Sequence, residues 1–436
     1  MRRSSAAWLL VVIGAHAAIY GRALTAGFMT DDFLWLEAAG REVSVLEHAA
    51  SREPFGYLRP LFHLLMAGSR ACFGLDATAL HALALGCSVA TASLLFALTR
   101  EAARSDLAAG VAALWLTTHP AQGIAISWAS SLPSLLALTF GLGALWCWQA
   151  WLRRGGVILA GGALLAHALA LASKEEAVMV SVAMFAWSVF APSRRGRALL
   201  WLGHAALTSS FVCLWLTTGA AAAAYAPSGV EWLFAAAEPL ARARALWLPR
   251  HVVTAPYAEV LLFFLALQWW RRGPGARGPW CAGVVVALAS LLPSSVGLWG
   301  FPWDKLDRLL LPAVPAAGFV VGLWVASARP RRASVCVVAA LLALFAARSH
   351  KIVARRVEDA ARVEGLVAAL AEAGPSLSRA ASRGESVAIR GYEVTWSAER
   401  AWIYPSGPAR AMAPGVRLVH PERGRFEVSR PSRSPR

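Results

Sequence analysis

The chain has 436 residues, of which 58% are hydrophobic and only 15% charged, well below the quarter or so of charged residues in an average soluble domain. That composition excludes an ordinary water-soluble fold and predicts a polytopic membrane protein. The net charge of +17 does not mark a nucleic-acid binder, because the Arg residues fall in short clusters between apolar runs rather than on one continuous stretch.

In chain order, apolar runs near membrane-spanning length occupy 6–24, 77–99, 106–120, 123–151, 156–173, 175–191, 198–218, 257–270, 279–297, 308–327 and 333–347. The first is read as a retained span rather than as the core of a signal peptide. Eleven spans place the N-terminus inside and the C-terminus outside. With that count, Arg2–Arg3, Arg100/Arg104, Arg153–Arg154, Arg194/Arg195/Arg197, Arg271/Arg272/Arg277 and Arg329/Arg331/Arg332 all fall on the inner side, as the positive-inside rule requires. Glu101 and Asp106 are the only acids among them. The abundance of Ala, Arg and Trp points to a GC-rich bacterial genome, hence an inner membrane with a cytoplasmic N-terminus and a periplasmic tail.

Two outer loops are long. The first, 25–76, reads as partly amphipathic between Phe33 and Leu46, which predicts an interfacial helix. The second, 219–256, predicts another over Glu231–Arg250. After Ala347 the spacing predicts an amphipathic helix over 350–373, ended by Gly374-Pro375. Short β-strands are expected within 386–428, in SVAIRGYEV and GRFEVS, and SRPSRSPR reads as disordered. The chain thus divides into a membrane domain (1–347), a small outer α/β tail (348–428) and a terminal segment (429–436). The six Cys lie in or beside apolar runs with no CxxC, and read as small core residues. His16, His81, His167 and His204, inside apolar runs, read as satisfied core histidines.

The residues with chemistry to offer collect in the outer loops. Asp31–Asp32 follow the first span, and adjacent carboxylates beside a bilayer need a proton, a cation or a substrate hydroxyl to compensate them. They suit a catalytic base, a metal ligand, or a helix cap supplied by Thr30 or Asp31. Arg59, in Tyr57-Leu58-Arg59-Pro60-Leu61, matches a phosphate in shape and charge, or snorkels at the interface with Pro60 opening a helix. His119, before Pro120, suits a phosphate donor, a proton shuttle, a metal ligand or a structural role. Lys174, in Ser173-Lys174-Glu175-Glu176, meets a phosphate or pairs with either Glu. Lys305, Asp307 and Arg308 precede the tenth span, with Arg308 well placed for a lipid phosphate. No Walker loop, GxGxxG after a strand, GxSxG or HExxH is present.

In order along the chain, these pieces resemble the GT-C glycosyltransferases of the protein O-mannosyltransferase superfamily. The nearest likeness is to bacterial relatives of the TPR-containing transmembrane O-mannosyltransferases. The likeness rests on Asp31–Asp32, on Tyr57, Arg59, Pro60 and Leu61, on His119, Pro120 and Trp128, on Ser173, Lys174 and Glu175, and loosely on Asp307, Arg308 and Pro312. The chain departs from the pattern in four places. Ile124 stands where the family has Glu, and Ser130-Ser131-Leu132-Pro133 follow Trp128 where the family often has Arg-Asp. Leu310 replaces a Tyr, and the TPR array is missing. Without an acid at 124 the resemblance does not carry a two-loop metal site.

The resemblance implies an all-α GT-C-like bundle and transfer of a sugar from a polyprenyl-phosphate donor to an acceptor hydroxyl on a protein or glycan, at the outer face. Asp31 or Asp32 would act as base in a single inverting displacement. Arg59, His119, Lys174, Glu175, Lys305, Asp307 and Arg308 would bind substrate, and a divalent cation at Asp31 or Asp32 stays open. The alternative is a non-catalytic scaffold related to such enzymes, which the missing acid at 124 favours. A transporter is more distant, because acids sit in loops rather than mid-span and no halves repeat.

Overall fold

The structure is a computed structural model. It describes residues 3–29, 31–40, 42–51, 57–74, 76–190, 197–217, 284, 286, 311–327, 331–383, 387–388, 417–419 and 427–429. Through residue 383 every regular element described is helical, and the chain is a polytopic membrane protein. By length and composition four helical stretches suffice to cross a bilayer: Ser4–Thr25, Thr78–Ala103, Ala129–Arg154 and Ser334–Ala361. Four shorter apolar helices, Asp106–Thr118, Val157–Ser173, Leu200–Trp215 and Leu311–Ser327, lie among them. The expected spans at 257–270 and 279–297, and the expected helix at Glu231–Arg250, lie outside the described residues apart from 284 and 286.

Helix α1 (Arg3–Tyr20) runs into a 3₁₀ turn at Gly21–Thr25. The first long loop is built from three helices rather than one amphipathic stretch: α2 (Asp31–Ala39), α3 (Val45–Ala50) and α4 (Pro60–Phe73). A capping box sets the start of α3, Ser44 and Glu47 each bonding the other's backbone N–H. Pro60 opens α4 at its first position, where a missing N–H costs nothing. Then come α5 (Thr78–Ala103), α6 (Asp106–Thr118) and the short α7 (Pro120–Ile126). Arg104 closes α5 in the left-handed conformation (φ 51°), and Ser105 caps α6 by accepting from the Ala108 N–H.

The long run expected at 123–151 is interrupted. Helix α7 stops at Ile126, a 3₁₀ turn follows at Ala129–Ser131, and α8 spans Leu132–Arg154. Pro133 explains the break: it sits in the first turn of α8, where the residue before a proline is steered away from continuing an earlier helix. Gly155 and Gly156, both at positive φ, turn the chain into α9 (Val157–Ser173). A 3₁₀ turn at Glu175–Val178 leads into α10 (Met179–Phe190), followed by α11 (Arg197–Thr217).

Near the C-terminus, α12 (Val314–Ser327) packs along α6. Its Gly318 and Gly322, four residues apart, meet a face of α6 built from Ala108 and Ala112. A Cβ placed on Gly318 would lie 2.8 Å from the Ala112 carbonyl oxygen, and one on Gly322 2.5 Å from that of Ala108. Small residues at this spacing let two backbones touch where lipid offers no hydrophobic drive for helix association.

The last helix, α13, runs unbroken from Arg331 to Arg383, about 80 Å at 1.5 Å per residue. The sequence predicted a span to 347 and a separate helix ended by Gly374-Pro375, but the helix passes through both points. Three short strands follow, β1 (Val387–Ala388), β2 (Arg417–Val419) and β3 (Glu427–Ser429), in the antiparallel order β1-β3-β2.

One continuous core joins α1, α5, α6, α7, α8, α12 and α13, with Trp115, Phe62, Phe345 and Leu132 fully buried. A second gathers α8, α9 and α10 around Trp148. Of the five cysteines described, all free, only Cys87 is buried, while Cys72, Cys213 and Cys336 are exposed. The core reading therefore holds for Cys87 and fails for the exposed three. At the Arg-cluster end Asp106 accepts from Arg100 (2.6 Å) and from Ser5 (3.2 Å), and Glu101 pairs with Arg153. Both acids on that side are thus neutralised by its own arginines.

Candidate functional site

The opposite end of the bundle gathers the loops that carry Asp32, Arg59, His119 and Lys174. Asp32, in the first turn of α2, is fully buried. Its Oδ2 accepts from the Met29 N–H (2.9 Å), and its Oδ1 from the Ser130 N–H (2.7 Å) and the Ser130 hydroxyl. The carboxylate therefore ties the first loop to the 3₁₀ turn after Trp128, with lone pairs aimed at protein donors. Asp31 is adjacent in the same helical turn, and its side chain lies outside the described residues.

Arg59 is the cap residue before α4 and only 7% exposed. Its Nε and Nη2 donate to Glu175 Oε2 (3.1 Å) and Oε1 (2.7 Å), a two-pronged match of guanidinium to carboxylate, and its guanidinium carbon lies 4.2 Å from the centre of the Tyr57 ring. Burial alone would raise the Glu175 carboxyl, but the Arg59 guanidinium outweighs it and holds the group at about 2. Burial works against the Arg59 charge too, yet Glu175 keeps its guanidinium above the ordinary arginine range.

Lys174 pairs with the second of its two neighbouring acids. Its Nζ donates to Glu176 Oε1 (2.7 Å) and to Ser134 Oγ (2.8 Å). Ser134 lies four residues after Ser130, so segment 128–134 meets Asp32 through one serine and Lys174 through the other, while Glu175, next to Lys174, holds Arg59. Segment 128–134, where the sequence departs most from the family pattern, is the hub of this network. Neither Ser130, Ser134 nor Glu176 stood out as a site residue in sequence. An acid two residues from Lys174 was the available signal for Glu176, and nothing local marked the serines.

His119 caps α7, its Nδ1 accepting from the Ala121 N–H (3.2 Å), with its ring 5.1 Å from that of Phe345 of α13. The cap is the structural role among its expected ones. Ile124 packs against an apolar cluster of Ala26, Met29, Trp128 and Ala360, with Val357 beside it. The position of the family's second acid is thus filled by hydrophobic contact with α13. Among the described residues no group of three or more His, Cys, Asp or Glu is placed to hold a metal ion. Lys305, Asp307 and Arg308 lie outside the described residues.

Of the four buried histidines expected to be satisfied, only His16 bonds through both ring nitrogens; the Nε2 atoms of His81, His167 and His204 are buried without a hydrogen-bond partner among the described residues. His16 bonds the Val12 carbonyl (2.9 Å) and the Ser88 hydroxyl (2.9 Å), His81 bonds the Ile126 carbonyl (3.0 Å), and His167 and His204 bond each other through Nδ1 (3.0 Å).

Beneath the charged network an apolar cleft of about 120 Å³, part of it open to the surroundings, runs between α5, α8, α10 and α12. Leu98, Leu142, Trp187 and Phe319 line its depth, and Ser134 and Glu176 form its polar end. The cleft therefore meets the Lys174 cluster where it opens towards the loops.

No family model matches this chain, and no curated protein matches it. Among solved structures, it is similar to ArnT from Cupriavidus metallidurans, whose crystal structure is bound to undecaprenyl phosphate. The identity is 12%, 86% of this chain and 80% of that chain are covered, and the TM-score is 0.48. At that identity and score the likeness carries no argument about reaction or ligand.

Proposed function

We propose that the chain is a membrane glycosyltransferase of GT-C type, moving a sugar from a polyprenyl-phosphate donor to an acceptor hydroxyl on a protein or glycan. The observation that carries this reading is the apolar cleft ending at Ser134 and Glu176, both bonded to Lys174, with Asp32 held by Ser130 and Arg59 held by Glu175 in the adjoining turns. The apolar walls of the cleft suit one stretch of a hydrocarbon tail, and its phosphate would meet a cation as the tail leaves the apolar zone. The ordered motifs from Asp31 to Pro312 support the same reading.

In the proposed reaction the acceptor oxygen attacks the anomeric carbon as the bond from that carbon to the phosphate oxygen breaks, inverting the centre. Polyprenyl phosphate leaves with the bonding electron pair, and the acceptor proton passes to a carboxylate. Asp31 is assigned that base, because both oxygens of Asp32 already accept from Met29 and Ser130. Asp32 holds α2, and with it Asp31, against the turn at Ser130. Lys174 and Arg59 offset charge on the departing phosphate, with Lys174 exchanging its Glu176 contact for the phosphate.

Membranes containing the chain should transfer label from a radiolabelled polyprenyl-phosphate sugar, and Ala316→Trp, which fills the cleft wall, should abolish transfer at equal expression. Undiminished transfer by that variant would detach the cleft from the reaction. The second reading, a non-catalytic scaffold, draws on the ion pairs themselves: Arg59 and Lys174 are each matched by an acid of the chain. Absence of transfer with every polyprenyl donor would favour it.

A further inference from the structure

Two segments of the chain carry the carboxylate pair and its anchor. Residues 26–29 lead from the 3₁₀ turn after α1 into α2, so they set where Asp31 and Asp32 stand. Residues 126–130 run from the end of α7 to Ser130, whose N–H and hydroxyl hold Asp32. Asp32 joins the two segments, bonding the Met29 N–H in one and Ser130 in the other. A bond between two loops fixes neither of them to the bundle.

His81 supplies that tie. It lies in the first turn of α5, and its side chain is fully buried. Its Nδ1 donates to the Ile126 carbonyl (3.0 Å), one of the acceptors that a helix C-terminus leaves without an intrahelical partner. A carbonyl only accepts, so this bond fixes the proton on Nδ1. The Ala26 and Gly27 carbonyls lie beside the same ring. One imidazole on a long transmembrane helix thus stands between the two segments that Asp32 joins. Ser130 follows Ile126 by four residues, at most about 14 Å of chain, and the stretch is braced within itself. Ser127 bonds the Gly123 carbonyl through its N–H (3.3 Å) and its hydroxyl (2.6 Å), and the Ser131 N–H bonds the Trp128 carbonyl (2.9 Å). A shift at Ile126 therefore carries through to Ser130, to Asp32 and to the start of α2.

We propose that His81 is a positioning residue for sugar transfer: through Ile126 it seats the turn that holds Asp32, and so sets the place of Asp31. The catalytic consequence rests on the glycosyltransferase reading, whereas the tie between α5 and the turn belongs to the fold and is measurable without substrate. An apolar side chain of similar size would fill the space of the ring but leave the Ile126 carbonyl without its donor. Misplacing a reacting group by about 1 Å costs on the order of a hundredfold in rate. The donor's tail and phosphate are held by other residues, so the loss falls on kcat and not on KM.

The test compares three variants of the full chain, His81→Asn, His81→Gln and His81→Leu. The Asn amide nitrogen stands as far from Cβ as Nδ1 does, whereas the Gln nitrogen reaches the place of Nε2. The Asn variant therefore keeps a donor for Ile126, and the Gln and Leu variants lose it. With a radiolabelled polyprenyl-phosphate sugar, kcat should fall about ten- to a hundredfold in the Gln and Leu variants, at a donor KM within about twofold of wild type. The Asn variant should stay within about threefold of wild-type kcat. Amide hydrogen exchange over residues 26–32 and 126–131, read by mass spectrometry on the chain in detergent without substrate, should quicken about tenfold in the Gln and Leu variants only. Exchange in the interior of α5 should not change. If the Leu variant fails to fold, the comparison of Asn with Gln decides, since both are neutral amides. Wild-type kcat in the Gln and Leu variants would overturn the proposal. So would an Asn variant no better than the Gln variant, or a loss of kcat without faster exchange in either segment. Absence of transfer by the wild type would overturn the enzymatic reading and the catalytic role together, whereas unchanged exchange would overturn the tie between α5 and the turn.

Discussion

Replacing Arg59 by Met removes one half of the contact that fastens the first loop to the α9–α10 turn. Glu175 would then keep its charge in a pocket where its side chain is 25% exposed. The depression of its carboxyl from 4.5 to about 2 corresponds to about 3 kcal/mol of stability at neutral pH, trimmed to about 2 kcal/mol by the partial exposure. The sign follows from the lowered value: the contribution is complete above pH 4.5 and drains away as the pH falls towards 2. Thermal unfolding of the purified chain in detergent should therefore show Arg59→Met destabilised at pH 7 by about 2–4 kcal/mol, with the gap to wild type closing in acid. The double variant Arg59→Met/Glu175→Leu should recover much of the loss, since no lone charge is left behind. A double variant as unstable as the sum of its single variants would show that Arg59 and Glu175 are not coupled, and a gap that does not change between pH 5 and pH 2 would show the same.

Gly322→Ala should cost about 1–3 kcal/mol in the same assay, because its new methyl meets the Ala108 carbonyl at 2.5 Å with Thr99 3.0 Å away, whereas Gly143→Ala, which meets nothing within 4 Å, should be neutral or mildly stabilising. Lys174→Met leaves Glu176, 8% exposed, without its cation and should cost about 3–5 kcal/mol; adding Glu176→Leu should restore the unfolding midpoint but not sugar transfer. Ser130→Ala keeps the amide bond to Asp32 and removes the hydroxyl, so it should cost about 1 kcal/mol and reduce transfer through Asp31, measured as a lower kcat at unchanged expression.

Helices were legible wherever length and apolar composition decide, as at Thr78–Ala103 and Val157–Ser173, which coincide closely with the predicted runs. The failures have local causes. The run at 123–151 looks continuous in hydropathy because its turn is made of Trp, Ala and Ser, and only Pro133 marks the start of α8. Gly374-Pro375 reads as a stop, but α13 continues through it. Within the site, the charged members Asp32, Arg59 and Lys174 were visible because charge beside apolar sequence is expensive. Their partners were less so: which Glu meets which cation depends on how the α9–α10 turn points its side chains, not on spacing. Ser130 and Ser134 bond across more than thirty residues of sequence, which no local pattern encodes. The Gly318/Gly322 pair was present as a GxxxG inside an apolar helix, a signal that hydropathy alone passes over.

In the proposed reaction the carboxylate pair serves transfer with its two members in different roles. Its most direct test is transfer from a radiolabelled polyprenyl-phosphate sugar in membranes carrying wild type, Asp31→Asn or Asp32→Asn, with unfolding midpoints measured on the same preparations. Asp31→Asn should abolish transfer at an unchanged midpoint, while Asp32→Asn should lower the midpoint and reduce transfer in part. Full transfer by Asp31→Asn would rule it out as the base, and loss of transfer in Asp32→Asn with no change in stability would give Asp32 that role instead.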